Sequence, residues 1–237
     1  MMAGRLYLLP ASLGDSPWQA TLPPQARDIA CRIDYFIVEN AKSARAELKR
    51  LGYPRPLREA EMTEIPREPT DADWLRLLQP VLGGRDAALM SEAGCPAVAD
   101  PGAGLVRVAH RQEIRVVPLV GPSSILLALM ASGLNGQSFA FHGYLPIPDK
   151  ERRSRITVLE QESRRERRTQ IFIETPYRNA ALLDTLKEVC QPATLLCLAA
   201  DLTTAAEWIA TRTIGQWRRA PAPAIARRPA LFLLLAE

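Results

Sequence analysis

The sequence predicts an α/β protein built as two α/β domains with parallel and mixed sheets. Three observations predict it. Short apolar runs alternate with helix-period segments through the first half, the pattern of a parallel sheet covered by helices on both faces. After residue 138 the strand-like runs are no longer all separated by helices, which reads as a mixed sheet. Between the halves, at 118–124, a strand runs into Val120-Gly121-Pro122-Ser123-Ser124, so the expected domains are 1–119 and 120–237.

The elements follow in order. Residues 6–9 are apolar and read as a buried strand that ends in a loop with Gly14 and Asp15 at its turn. Residues 24–33 place Ala26, Ile29, Ala30 and Ile33 on one helical face. A second strand, 34–39, delivers Glu39 and Asn40 at its carboxyl end. A helix over 41–51 exposes Lys42, Arg45, Lys49 and Arg50 and stops at Gly52. The proline-rich stretch 53–70 reads as an extended connection. Thr70 opens a helix with Trp74, Leu77, Leu78, Val81 and Leu82 on its apolar face.

Residues 87–90 are a buried strand feeding a long loop, 91–102. Gly94 and Gly102 permit backbone angles or close approaches that a side chain would block. A helix from 105, a strand over 114–119 and a helix over 125–133 complete this half. Ser123 and Ser124 sit where a helix cap belongs, and a helix start there also offers free N–H groups to an anion.

In the second half, strands are expected at 139–144, 169–174, 194–199, 207–213 and 230–235. Helices are expected at 180–189 and 214–218. The segment 150–168 carries eight Lys/Arg and four Glu, with Ile156, Val158 and Leu159 as its apolar residues. It reads as a partly buried helix with a solvated charged face; contact with a phosphate backbone is the alternative.

Composition narrows the function. The 237 residues are 47% apolar and carry a net charge of +4, too mild for a dedicated nucleic-acid module yet open to an anionic substrate. Four dispersed cysteines and two histidines, His110 and His142, do not match the spacing of a zinc site, and no metal is expected. The N-terminus lacks the layout of a signal peptide, and the longest apolar runs, 125–131 and 230–236, are far too short for a bilayer. A cytoplasmic protein without a membrane partner is expected. Trp74, Trp208 and Trp217 read as core or interface residues.

Several motifs stand in order: Ser91-Glu92-Ala93-Gly94-Cys95-Pro96 with Asp100-Pro101-Gly102, then Val120-Gly121-Pro122-Ser123-Ser124, then Phe141-His142-Gly143-Tyr144-Leu145-Pro146, then Glu174-Thr175-Pro176-Tyr177-Arg178. Together they resemble the tetrapyrrole methylase superfamily, and within it the branch of 16S rRNA cytidine 2′-O-methyltransferases. The resemblance implies two α/β domains with S-adenosylmethionine (SAM) in the cleft between them, and a homodimer. It implies donor contacts at Leu13, Gly94, Val98, Ser123, Ser124, Glu174 and Leu202. The chain departs from that branch at Glu39-Asn40-Ala41-Lys42, where Thr-Arg is usual. It departs again at Ala200-Asp201-Leu202-Thr203-Thr204, where both flanking cations are missing. The expectation is a sister group with the same methyl donor and an RNA or small-molecule acceptor.

If the acceptor is a hydroxyl, a base is needed, and Asp15, Glu39 and Asp100 are candidates at strand-end loops. Tyr177 and Arg178 are candidates for holding the acceptor. Simpler readings stand beside these: helix capping or loop bracing for Glu39 and Asp100, and an ion pair with Glu174 for Arg178. A non-catalytic SAM-binding protein on the same scaffold is the alternative to an enzyme.

Overall fold

The computed structural model describes residues 3–236. Its contacts divide the chain into one unit ending at Ser123 and another beginning at Ser124, so the turn 120–123 stays with the first.

The first unit holds β1 (Arg5–Leu8), α1 (Pro24–Arg32), β2 (Tyr35–Val38), α2 (Ala41–Arg50), β3 (Glu61–Glu64), α3 (Asp71–Leu82), β4 (Ala87–Met90), α4 (Ala103–Arg111) and β5 (Arg115–Pro118). The strands form one sheet in the order β3-β2-β4-β1-β5, every pair parallel. Strand side chains alternate between its faces. Tyr7, Phe36, Val38 and Met90 pack on one side with Ile29 of α1 and Leu48 of α2. Leu6, Tyr35, Ile37 and Leu89 pack on the other with Leu78 of α3 and Leu105 of α4. All the strand carboxyl ends therefore open on one edge of the sheet, where ligand crevices form in such folds.

One strand lies inside the stretch read as an extended connection. Glu61-Met62-Thr63-Glu64 pairs with β2 from Tyr35↔Glu61 to Val38↔Glu64. It is an edge strand with no fully buried residue, so it needs no apolar alternation and leaves no periodic trace in sequence. Arg50, expected on the exposed face of α2, is half-buried.

The second unit holds α5 (Ser124–Ser132), β6 (Phe139–Tyr144), α6 (Asp149–Glu166), β7 (Thr169–Ile173), α7 (Asn179–Val189), β8 (Leu195–Ala200), β9 (Trp208–Thr213), α8 (Ile214–Arg219) and β10 (Ala230–Leu235). Its sheet runs β6-β7-β10-β8-β9. Only β6 and β7 are parallel, and the other pairs are antiparallel. Phe172 and Phe232 stack at 5.9 Å in its core. Trp217 is buried and donates its indole N–H to the Leu196 carbonyl at 2.9 Å. On α6, Ile156 and Leu159 are buried while Val158 is exposed. Two residues along a helix is more than half a turn, so Val158 cannot share the face of Ile156. Among the described residues no helix is long and apolar enough to cross a membrane.

Candidate active site

Three neighbouring strands, β4, β1 and β5, end in loops that meet at Gly94. Ala11, beyond β1, and Gly94, beyond β4, exchange backbone hydrogen bonds of 2.9 and 3.0 Å. Gly94 has φ +74°, and a Cβ there would lie 3.4 Å from Leu13 Cδ2 and 3.7 Å from the Pro122 carbonyl oxygen. A side chain is thus opposed by the backbone conformation, while a Cβ would sit in ordinary contact with Leu13 and Pro122. The Cys95 thiol reaches the Pro122 carbonyl at 3.4 Å, tying the β4 loop to the turn after β5. Farther along the loop, Ala97 and Ala99 have φ +66° and +64°. Each costs on the order of 1 kcal/mol relative to the right-handed region. Between them Val98 is half exposed. Leu13, Gly94 and the turn carrying Ser123 are therefore brought together, in a cradle lined mainly by backbone.

The β1 loop is held from below by α2. Glu47, 8% exposed, accepts from the Ser12 backbone N–H at 3.1 Å and the Ser12 hydroxyl at 2.9 Å. Arg50 pairs with Glu47 at 2.5 Å and donates to the Ser16 carbonyl at 2.8 Å. This is why Arg50 is drawn in from solvent. The Glu47 anchor is not legible in sequence, because its partner lies 35 residues away. Asp15, in the same loop, points to solvent.

An acidic corner forms where β2 and β4 end. Glu39 accepts the Glu92 backbone N–H at 3.2 Å, and Glu92 accepts the Ser43 hydroxyl at 2.9 Å. Asn40, not Glu39, caps α2 by accepting from Lys42 and Ser43 N–H, and Gly102, not Asp100, immediately precedes α4. The capping reading fails for both acids, and Glu39 braces the β4 loop instead. Burial, reinforced by the negative charges of Glu39 and Glu92 and opposed by a Ser91 hydrogen bond, pushes the Asp100 carboxyl up to about 6. That suits a group that takes up a proton near neutral pH.

In the second unit, β7 ends at a buried carboxylate. Glu174 Oε1 accepts from the Thr175 N–H at 2.6 Å and from Arg178 Nε and Nη2 at 3.0 and 2.6 Å. These bonds hold the Arg178 guanidinium above its usual pKa. Glu174 and Arg178 therefore form the ion pair anticipated as the simpler reading of Arg178. Tyr177 stands on the surface with the Arg178 guanidinium 5.5 Å from its ring centroid. Leu202 is buried between Asp201 and Thr203, both at positive φ. That loop is braced by Arg228, which pairs with Asp201 at 2.5 Å, and by Glu207, which accepts the Thr203 N–H at 2.8 Å. Ser124 opens α5. His142 is taken up internally, 2.6 Å from Gln170 and 3.2 Å from Arg155.

No family model matches the chain. Among curated proteins it is 32% identical over 212 residues to ribosomal RNA small subunit methyltransferase I of Xylella fastidiosa strain Temecula1, covering 90% of this chain and 73% of that one. It is 30% identical over 213 residues to the protein of the same name from Escherichia coli O157:H7, covering 90% and 70%. The one from Pseudomonas aeruginosa is 31% identical over 216 residues, covering 91% and 72%. Among solved structures, the methyltransferase CobJ superposes with a TM-score of 0.64 at 17% identity, covering 99% of this chain and 95% of that one. Uroporphyrin-III-C-methyltransferase from Thermus thermophilus gives 0.52 at 22% identity, covering 99% and 93%. At these identities the structural likeness is one of fold, and the fold is that of the tetrapyrrole methylases.

Proposed function

This chain is a methyltransferase that belongs to the ribosomal RNA small subunit methyltransferase I family, and we propose that it transfers a methyl group from SAM to a ribose hydroxyl of small-subunit ribosomal RNA. The observation that carries this reading is the likeness at 32% identity across 90% of the chain to a protein of that name. The strand-end cradle supports it: on this reading SAM would be held largely through main-chain groups, and Gly94 leaves that main chain without a side chain.

When bound, SAM supplies an activated methyl group on a sulfonium, so the protein has to align the acceptor and exclude water rather than create the electrophile. Leu13, Gly94, Val98 and Ser123 are the first unit's proposed contacts to it. Ser124, Glu174 and Leu202 are those of the second unit, with Glu174 acting through its main chain, since its carboxylate is committed to Thr175 and Arg178. Asp100 is the proposed base for the hydroxyl proton. Its carboxyl titrates near 6, so it is ionised at neutral pH yet basic enough to accept a proton. Glu39 lies close enough to raise it. Asp15 is the weaker choice, because it is exposed to solvent with no partner among the described residues to orient it. A homodimer working in the cytoplasm is part of the same proposal.

The test is transfer of labelled methyl from SAM to purified small ribosomal subunits from cells lacking this protein. Label in ribosomal RNA, located to a ribose by nuclease digestion and mass spectrometry, is the expected result. Label confined to small molecules or protein would overturn the acceptor. Light scattering on the purified chain checks the dimer.

A further inference from the structure

The chain's net positive charge lies in its second half. Residues 1–123 carry 15 Lys/Arg against 15 Asp/Glu, and residues 124–237 carry 15 against 11. Much of the charge on and just after the basic helix α6 is already neutralised. Arg152 and Arg153 pair with Asp149, Arg153 also with Glu188, and Arg165 and Arg168 with Glu166. Arg228 is likewise committed to Asp201.

Arg227 is exposed, and among the described residues its side chain has no ion pair or hydrogen bond, as is also true of Lys150, Arg167 and Arg219; what sets Arg227 apart is where its backbone is held. Its backbone is fixed: the Arg227 N–H donates to the Pro176 carbonyl at 2.9 Å. Asn179 Nδ2 donates to the Ile225 carbonyl at 3.2 Å and the Arg228 carbonyl at 2.7 Å. The loop 225–228 is thereby locked onto the turn 176–179, with Arg227 itself held at φ +62°. Such a conformation persists in a non-glycine residue only where its surroundings enforce it.

The same turn presents Tyr177, 73% exposed. The Arg178 guanidinium backs the ring at 5.5 Å, and the buried Glu174 carboxylate keeps that guanidinium in place. Tyr144, also exposed, is near enough to Arg178 to interact with its charge. A large exposed aromatic ring with one guanidinium over its face, on a turn whose backbone is bonded to the loop carrying a second cation, is the construction that single-stranded nucleic acids are read with. The ring takes a base face and the cation takes the backbone. A small acceptor does not call for both, spread over two loops.

We propose that Tyr177 and Arg227 form a platform for single-stranded RNA, Tyr177 stacking a base and Arg227 neutralising a neighbouring phosphate. The choice of RNA as occupant rests on the acceptor proposed above. Arg178 is a positioning residue here, because it acts through the Tyr177 ring.

The experiment is fluorescence anisotropy of a labelled oligouridylate with the full chain, in parallel with SAM calorimetry and methyl transfer to small ribosomal subunits. Y177A is expected to weaken oligouridylate binding roughly tenfold, the size of one lost base stack. Y177F and Y177W should restore it, and the SAM affinity and melting temperature should not move. R227Q should flatten the dependence of log K on log salt by about 0.7, one phosphate on a single strand. Y177A binding within twofold of wild type, Y177F as weak as Y177A, or an unchanged salt slope in R227Q would overturn the platform. The two ideas fail separately. Wild type that binds oligouridylate through Tyr177 but labels no ribosomal RNA refutes the acceptor and supports the platform. Wild type that labels ribosomal RNA while Y177A binds undiminished refutes the platform alone.

Discussion

Replacing Asp100 with Asn should make the protein more stable and less active, with both effects set by pH. The carboxyl is raised from 3.8 to about 6 by burial and by the nearby Glu39 and Glu92. A raised carboxylate favours the fold below its unfolded pKa, and that favour is lost as pH climbs through the folded value. Ionised Asp100 is therefore a cost to the fold above pH ~6. The full shift of roughly two units corresponds to ~3 kcal/mol, and partial solvent access reduces it to about 1–2 kcal/mol. Most of this difference develops between pH 4 and pH 6.5. Urea denaturation of both proteins at pH 5 and pH 8 reads it directly: the advantage of D100N should grow by ~1 kcal/mol between them. Methyl transfer should fall at least a hundredfold in D100N at pH 8, the typical weight of a general base. In wild type the acid limb of kcat/KM should bend near pH 6. A stability difference that is flat with pH would refute the buried-carboxylate argument. Undiminished turnover in D100N would refute its role as base.

Two further outcomes follow from the cradle itself. G94V should abolish SAM binding in calorimetry, because it combines a positive φ with a branched side chain driven toward Leu13 and Pro122; retained affinity would remove Gly94 from the donor site. E47A strips the Ser12 backbone and hydroxyl of their acceptor and leaves Arg50 unpaired. It should cost about 2–3 kcal/mol in urea denaturation and weaken SAM through the loosened Leu13 loop, whereas E47Q should recover part of both.

The elements that announced themselves in sequence are those whose burial is periodic. Strands β1, β2, β4, β7, β8 and β10 are apolar runs because helices or neighbouring strands cover them, and the helical faces of α1 and α3 repeat at the helical period. Strand β3 was hidden because an edge strand is held by main-chain bonds to β2 and buries almost nothing. The glycine at 94 was legible because its backbone conformation restricts which residue types stand there. Pairings over distance were not. Glu47 holding the loop 35 residues before it, Arg227 bonded to the Pro176 turn, and Asp100 raised by Glu39 each depend on where the fold brings the backbone. So did the answers for residues with two open readings. Asn40 rather than Glu39 became the helix cap, and Arg178 joined Glu174.

By itself, the sequence determined the α/β architecture, the order of every strand but β3 along the chain, and the strand-end loop around Gly94. These follow from local preferences and from which side chains must leave water. The tertiary structure alone decided that the Asp100 carboxyl is partly desolvated and that the backbone of Arg227 is held against the Pro176 turn. Both are set by neighbours that arrive from distant parts of the chain only when it folds.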